Sequence, residues 1–312
     1  MGRRCGGRTL TVSFVSAGSV GEALSALQDG ARPVAGGTDL VVGARQGKAA
    51  LPESIVAIHR LEELRGLAVS DGELRLGALA THAEIAADST VRERLTALAD
   101  ACAIVGSHAT RAHGTVGGNL MNASPAMEAG GPLQVFGAEV LLRSPSGERK
   151  VPVTNLATGP GATVAAPEEL LTEVVVPLPA EGSGSCYARL EYRRQMEIAI
   201  VGVTAAVRLV DGKVAQARVA ITALAPTIEL VPEAEAALLG SDGAPAAVEE
   251  CAAAVARAAR PISDVRGSAD YRRAMAEVLA RRVVSAALRR AQGHDVAVPA
   301  SDALFGAVRE AS

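Results

Sequence analysis

Gly114-Thr115-Val116-Gly117-Gly118-Asn119-Leu120, continuing into Met121-Asn122-Ala123-Ser124-Pro125, decides how this chain is read, together with an earlier stretch, Ala35-Gly36-Gly37-Thr38-Asp39-Leu40. Adjacent glycines let successive backbone N–H groups converge into a concavity for anionic oxygens, and the missing Cβ lets a phosphate come close. Thr38, Thr115, Asn119 and Ser124 add side-chain hydrogen-bonding groups. Neither stretch is a P-loop, because no Gly-Lys-Ser/Thr follows, and neither has GxGxxG spacing. A lone Gly-Gly is most often a turn. Two such stretches, both in the same expected domain, leave two readings open: a pair of turns, or a site for a diphosphate-bearing cofactor.

Outward from these stretches the chain mixes helices and strands. Leu10 to Val15 alternates as an early strand, and Ser19-Val20-Gly21-Glu22 has the form of a capping box, with the Glu22 carboxylate reaching back, which predicts a helix through about Gln28. Ser54-Ile55-Val56-Ala57-Ile58 has the apolar density of a buried strand. Asp71-Gly72 supplies the positive φ angles of a tight hairpin, Asp211-Gly212 supplies a second, and Ser144-Pro145-Ser146-Gly147 forms a third turn. Long helices are predicted at about 90–104 and 270–291, the second N-capped by Ser268, and an alanine-rich helical region runs from Glu233 to Arg260. Antiparallel strands recur on both sides of the middle without a regular βαβ alternation, so the predicted class is α+β.

Pro177-Leu178-Pro179-Ala180-Glu181-Gly182-Ser183-Gly184-Ser185 follows a predicted strand from Leu170 to Val176 and marks the best boundary. The expected organisation is a first domain over 1–180, with subdomains of about 1–58 and 59–180. A second domain spans 181–292, and a peripheral tail spans 293–312.

Composition narrows the function. The 312 residues are 49% hydrophobic, ample for sizeable cores and too apolar for disorder. With 31 basic and 34 acidic side chains the net charge is −3, so no cationic excess is available for nucleic acid. Cys5, Cys102, Cys186 and Cys251 form no CxxC pair, which argues against an iron–sulfur cluster or structural zinc in this chain and fits reduced thiols in a cytoplasmic protein. The longest apolar stretches fall short of the ~20 residues that cross a bilayer, and the start of the chain lacks a signal-peptide core. His108 and His113 make no zinc pattern such as HExxH, and His82 reads as a surface or capping histidine with flavin contact as the rarer option. No GxSxG elbow or Ser/His/Asp set is visible.

The glycine stretches also carry a resemblance. Ala35 to Leu40, Thr110-Arg111-Ala112-His113 leading into Gly114 to Leu120, Ala123-Ser124-Pro125-Ala126 and Gly137-Ala138-Glu139-Val140 resemble the FAD-binding medium subunit of the molybdenum hydroxylases, the xanthine dehydrogenase and carbon monoxide dehydrogenase family. So do Glu191-Tyr192-Arg193-Arg194-Gln195-Met196-Glu197-Ile198-Ala199-Ile200-Val201-Gly202 and Ser263-Asp264-Val265-Arg266-Gly267-Ser268-Ala269-Asp270-Tyr271-Arg272-Arg273. The motifs occur in order over nearly the whole chain.

The resemblance implies an FAD-binding domain of the PCMH or vanillyl-alcohol-oxidase type, two α/β subdomains with noncovalent FAD between them. A C-terminal α+β domain like that of the CO dehydrogenase flavoprotein would follow. It implies that Ala35, Gly36, Gly37, Thr38, Asp39 and Leu40 wrap the diphosphate, and that Thr115, Gly118 and Asn119 bind the diphosphate and ribityl region. Val105 and Gly106 would line the cofactor, Leu170 would meet its adenine or flavin end, and the region from Arg189 to Tyr192 would lie near the isoalloxazine. Glu128 stands where the family usually has an aspartate that contacts ribityl hydroxyls. The added methylene keeps the acceptor and shifts it, while a solvated side chain is the alternative.

By the same resemblance, the molybdenum cofactor and [2Fe–2S] clusters sit on a large and a small partner subunit, assembled as a dimer of heterotrimers. FAD here would collect electrons from the clusters and pass them to NAD⁺, a quinone or oxygen, so this chain needs no catalytic base or nucleophile. Two rival readings are a stand-alone flavin oxidase or reductase of the same fold, and a non-catalytic scaffold, the latter suggested only by Glu128.

Overall fold

The computed structural model describes residues 13–47, 50–193 and 196–304; Leu10, Thr11 and Val12 of the expected first strand, and Arg194 and Gln195, lie outside them. The first unit contains β1 (Ser13–Ser16), α1 (Val20–Gln28), β2 (Arg32–Val34), α2 (Leu40–Arg45) and β3 (Ser54–Ala57), with the strands in a parallel sheet of order β1-β3-β2. Helix α1 forms because Val20, Ala23, Leu24 and Leu27 make one apolar stripe, and it buries that stripe in a core with Val56 and Ile58. Each large side chain buried there contributes roughly 1.5–3 kcal/mol. The Ser19 hydroxyl accepts from the Glu22 amide as expected, but the Glu22 carboxylate takes the Gly18 amide, one residue before the predicted partner.

The second unit begins with β4 (Leu67–Ser70) and β5 (Glu73–Gly77), a hairpin whose Asp71 and Gly72 both have positive φ. Six short helices follow: α3 (His82–Ala87), α4 (Ser89–Arg94), α5 (Thr96–Ile104), α6 (His108–His113), α7 (Val116–Met121) and α8 (Gly130–Val135). Then come β6 (Glu139–Ser144), β7 (Gly147–Pro152), the small pair β8 (Ala157–Gly159) and β9 (Ala162–Thr163), and β10 (Leu170–Pro177). Strand β10 returns to the middle of a sheet ordered β4-β5-β10-β6-β7, pairing antiparallel with β5 and β6. Its apolar run is buried on both faces, as a central strand requires.

The helix expected over 90–104 is interrupted at Leu95, which leaves helical geometry at φ −117° and ψ 46°. The cause is tertiary. The Thr96 hydroxyl donates to the carbonyl oxygen of Ser185 at 2.6 Å, and the Ser185 hydroxyl accepts from the Ala97 amide at 3.0 Å, so the new helix starts where that serine caps it.

The third unit is a four-stranded antiparallel sheet, β11 (Ser183–Leu190), β12 (Val201–Val210), β13 (Lys213–Thr222) and β14 (Glu229–Leu230), followed by α9 (Pro232–Leu238), α10 (Pro245–Ala258) and α11 (Ala269–Ala291). One sheet face packs on α11 and α9, with α10 lying against those two helices, and the other meets α5 and α8. The Ser268 hydroxyl caps α11 by accepting from the Tyr271 amide. The segment after α11, expected to be peripheral, folds back: Val296 and Ala300 are buried, and a last helix, α12 (Ala300–Leu304), begins at Ala300.

Candidate functional site

The two glycine stretches meet. Ala35 to Asp39 leave β2 as a loop with Gly37 at φ +68°, and this loop crosses the end of α6 so closely that a Cβ at Gly36 would overlap the carbonyl oxygen of His113. A Cβ at the next glycine, Gly114, would lie 3.6 Å from the Thr38 hydroxyl. Glycine at 36 is therefore what lets the loops touch. Among the described residues, the amides of Gly36, Gly37, Thr38 and Asp39 donate to no protein group, which leaves four consecutive donors open.

The second stretch is held from below by the strand end after β5. Gly117 donates to Ala78 and Val116 to Ala80, while His82 donates its amide to Gly114. A Cβ at Gly117 would stand only 2.7 Å from the Ala78 carbonyl oxygen, so that contact also requires glycine. The Thr115 hydroxyl accepts from the Gly118 amide at 3.1 Å, and the Asn119 Oδ1 atom is buried with no partner among the described residues. An acceptor left in that state needs a donor from outside the protein.

Val105 is buried, and Gly106 follows it at φ +50°. The Gly106 carbonyl accepts from the Met196 amide at 2.9 Å, and the Thr110 hydroxyl donates to the Met196 sulfur at 3.5 Å, so the chain after β11 closes onto this loop. Tyr192 is 67% exposed, and its hydroxyl donates to the Arg266 carbonyl. Leu170 is buried in the core shared with Leu64 and Leu79, beneath the first sheet.

Glu128 is buried, so the solvated alternative is excluded. Its Oε1 atom accepts from Arg189 Nη1, giving the carboxylate a protein partner, and Arg189 also holds Glu191 through Nε at 2.6 Å. Burial pushes the Glu128 carboxyl up, with the Arg189 charge opposing. For Arg189 burial pulls down, but Glu128 and Glu191 outweigh it and the guanidinium stays charged.

His82 is neither a surface nor a capping residue: Thr81 is the cap, in a closed capping box with Glu84, and the His82 ring is 1% exposed. Its Nδ1 lies 3.5 Å from the Cys102 sulfur, and burial, aided by Arg111, lowers it to about 4. The imidazole is therefore neutral at physiological pH. Arg111 sits in the motif without a role that its spacing assigns. It is buried, with Nη1 donating to the Val105 carbonyl at 3.0 Å and Nη2 lying 3.1 Å from His108 Nδ1.

The open loop amides, the unpartnered Asn119 oxygen and the close crossing at Gly36 form a cradle suited to a diphosphate and a polyhydroxylated chain. Comparison with known proteins agrees. Residues 10–179 match the family described as the FAD binding domain in molybdopterin dehydrogenase, and residues 186–287 match the CO dehydrogenase flavoprotein C-terminal domain. The chain is 31% identical to the carbon monoxide dehydrogenase medium chain of Hydrogenophaga pseudoflava, over 87% of this chain and 95% of that one. It is 33% identical to the 6-hydroxypseudooxynicotine dehydrogenase complex subunit alpha of Paenarthrobacter nicotinovorans, over 89% and 95%.

Among solved structures, carbon monoxide dehydrogenase from Hydrogenophaga pseudoflava superposes with a TM-score of 0.86 at 31% identity, covering 89% of this chain and 98% of that chain. Quinoline 2-oxidoreductase from Pseudomonas putida 86 superposes with a TM-score of 0.83 at 28% identity, covering 90% and 97%. The chain belongs to the FAD-binding medium-subunit family of the molybdenum hydroxylases and is an oxidoreductase subunit.

Proposed function

We propose that this chain carries electrons between [2Fe–2S] clusters on a small partner subunit and a terminal acceptor. The substrate would be oxidised on a large molybdopterin subunit, and the whole would assemble as a dimer of heterotrimers in the cytoplasm. The acceptor is NAD⁺, a quinone or oxygen. Bound FAD supplies the ability to take electrons singly and deliver them in pairs.

The chain's own residues do the rest. Gly36 to Asp39 offer amides to the diphosphate, with Ala35 and Leu40 flanking them, and Thr115, Gly118 and Asn119 serve the diphosphate and ribityl region. Val105, Gly106, Leu170 and Tyr192 line the remainder, with Glu128 acting through Arg189. The flavin domain is 1–180 and the C-terminal domain 181–292.

The observation that carries this reading is the meeting of two glycine loops around open donors and an unpartnered acceptor. Cys102, Cys186 and Cys251 are buried and free. Among the described residues no group of three or more His, Cys, Asp or Glu is arranged to hold a metal ion, and no helix is long and apolar enough to cross a membrane.

Two measurements test the proposal. The purified chain, supplied with FAD, should show flavin absorption bands that survive desalting; a colourless protein sinks the reading. Expressed with its neighbouring genes, it should co-purify with two further chains in a preparation containing molybdenum and iron, whereas a yellow chain active alone would identify a solitary oxidase.

A further inference from the structure

Among the described residues four arginine side chains are largely buried: Arg111, Arg189, Arg272 and Arg290. Three hold carboxylates. Arg189 pairs with Glu128 and Glu191, Arg272 with Asp264, and Arg290 with Asp100. Arg111 has no carboxylate partner among the described residues; its contacts are a carbonyl oxygen and a histidine nitrogen. A buried cation without a counter-charge is costly, so its place in the fold calls for an anion from outside the chain.

We propose that Arg111 is the fixed positive charge beside the flavin ring, left without a protein carboxylate so that it favours the ring when that ring carries added negative charge. The inference rests on the FAD-binding role proposed above and deepens it.

Position identifies which end of the cofactor is meant. Within α6, Arg111 and His113 are two residues apart and so project from different faces of the helix. The loop of open amides crosses at His113, whereas Arg111 is tied to the Val105 carbonyl. Val105 leads into Gly106, which receives the Met196 amide from the segment after β11, the strand that carries Arg189. Burial lowers the Arg111 pKa first and the Arg189 charge lowers it further, while the nearby carboxylates of Glu128 and Glu191 are taken up by Arg189. Besides His108, in direct contact with the guanidinium, the buried His82 feels the Arg111 charge and is neutral.

Uptake of two electrons and one proton leaves the isoalloxazine with one added negative charge. A fixed cation nearby lowers the energy of that state and of the ring deprotonated at N3.

The test uses the full chain loaded with FAD, as wild type, Arg111→Gln and Arg111→Lys. Dithionite titration against reference dyes reads the midpoint potential, and absorbance against pH reads ionisation of N3–H in the oxidised ring. Arg111→Gln should weaken the preference for reduced over oxidised FAD by on the order of tenfold, which is about 30 mV for a two-electron couple. Arg111→Lys should keep most of the wild-type potential. In the wild type, N3–H should ionise at lower pH than in free FAD.

An Arg111→Gln protein that holds FAD with unmoved potential overturns the proposal. Equal loss of affinity for oxidised and reduced FAD would overturn it too, by placing the charge at the diphosphate. If the Gln variant fails to fold, the wild-type N3–H value decides alone: at or above that of free FAD, the proposal fails. A wild type that takes up no FAD removes the flavin role itself, an outcome distinct from these.

Discussion

Asp100 and Arg189 anchor two buried ionic clusters on the same face of the last sheet, and Tyr187 touches both. Around Asp100 every group is used. Its carboxylate accepts from Arg290 Nη1 and Nη2, from the Tyr187 amide and from the Ala300 amide, while Arg290 also donates to the carbonyls of Ser185, Val296 and Ala297. Around Arg189 the groups are incompletely used. Arg189 Nη2 pairs with Glu191 at 2.5 Å, but among the described residues no hydrogen bond is made by the Tyr187 hydroxyl or by the hydroxyls of Thr204 and Thr222, and Arg111 stands close enough to be destabilised by the Arg189 charge.

A saturated buried network fixes how α5, β11, α11 and the returning tail sit together; an unsaturated one is held ready for something else. The first cluster serves stability, and the function proposed above assigns the second to the ligand. Substitution can break that contrast, and each of the following outcomes does so or sharpens it.

The largest expected effect is at Gly36. Any side chain there meets the His113 backbone, which cannot move aside like a flexible side chain. Gly36→Ala should therefore separate the two loops and abolish flavin retention, read as loss of the visible bands after desalting. The far-UV circular dichroism and melting temperature should change little, because Gly36 is solvent-exposed and serves no core. A Gly36→Ala protein that stays yellow would mean that the crossing does not organise the site.

Arg290→Met should behave in the opposite way. Removing one partner from a buried ion pair costs about 3–5 kcal/mol, because Asp100 is left charged or must take a proton in the interior. Burial already pushes its carboxyl up, with Arg290 opposing that shift. Denaturant unfolding should show this loss. The double variant Asp100→Leu with Arg290→Met should recover much of it, since an apolar pair of similar volume leaves no buried charge. Flavin potential in the surviving folded protein should be unchanged, whereas Arg111→Gln should move the potential and leave stability nearly alone.

These contrasts track what could be read before the structure. The Asp71-Gly72 and Asp211-Gly212 hairpins were legible because a two-residue turn is set by its own φ angles, and Gly72 and Gly212 both lie in the left-handed region. The Ser268 cap was legible for the same reason, one hydroxyl and one nearby amide. The break at Leu95 was not, because its cause is Ser185, ninety positions further along the chain and on another sheet.

Within the site, the glycine stretches announced themselves. Their crossing at Gly36 and His113 is a tertiary fact that no local spacing encodes. The burial of Arg111 and Arg189 was hidden by residue type, since arginine is seldom buried and motif position alone gives no sign of it. The Glu128 carboxylate looked like a lone acceptor because its partner, Arg189, lies sixty-one residues away.

The smallest effect concerns His82, which belongs to the ligand side of the contrast but answers to pH. Its unfolded value is about 6.5 and its folded value about 4, so the folded state excludes a proton that the unfolded chain accepts. Above pH 6.5 both states are neutral there and no penalty exists. As pH falls from 6.5 towards 4 the unfolded chain binds the proton first, and stability declines by up to about 3 kcal/mol before levelling off. Glu128 and Asp100 titrate in the same fold with pKa values raised, so the wild-type curve alone mixes several groups. The difference between wild type and His82→Gln isolates the histidine: stability measured by urea unfolding at pH 7 and pH 5 should fall more steeply for the wild type. Equal slopes would mean that the ring is hydrated or already charged in the folded protein. It could not then serve as the neutral floor beneath Gly114 that leaves Arg111 the uncompensated charge of the site.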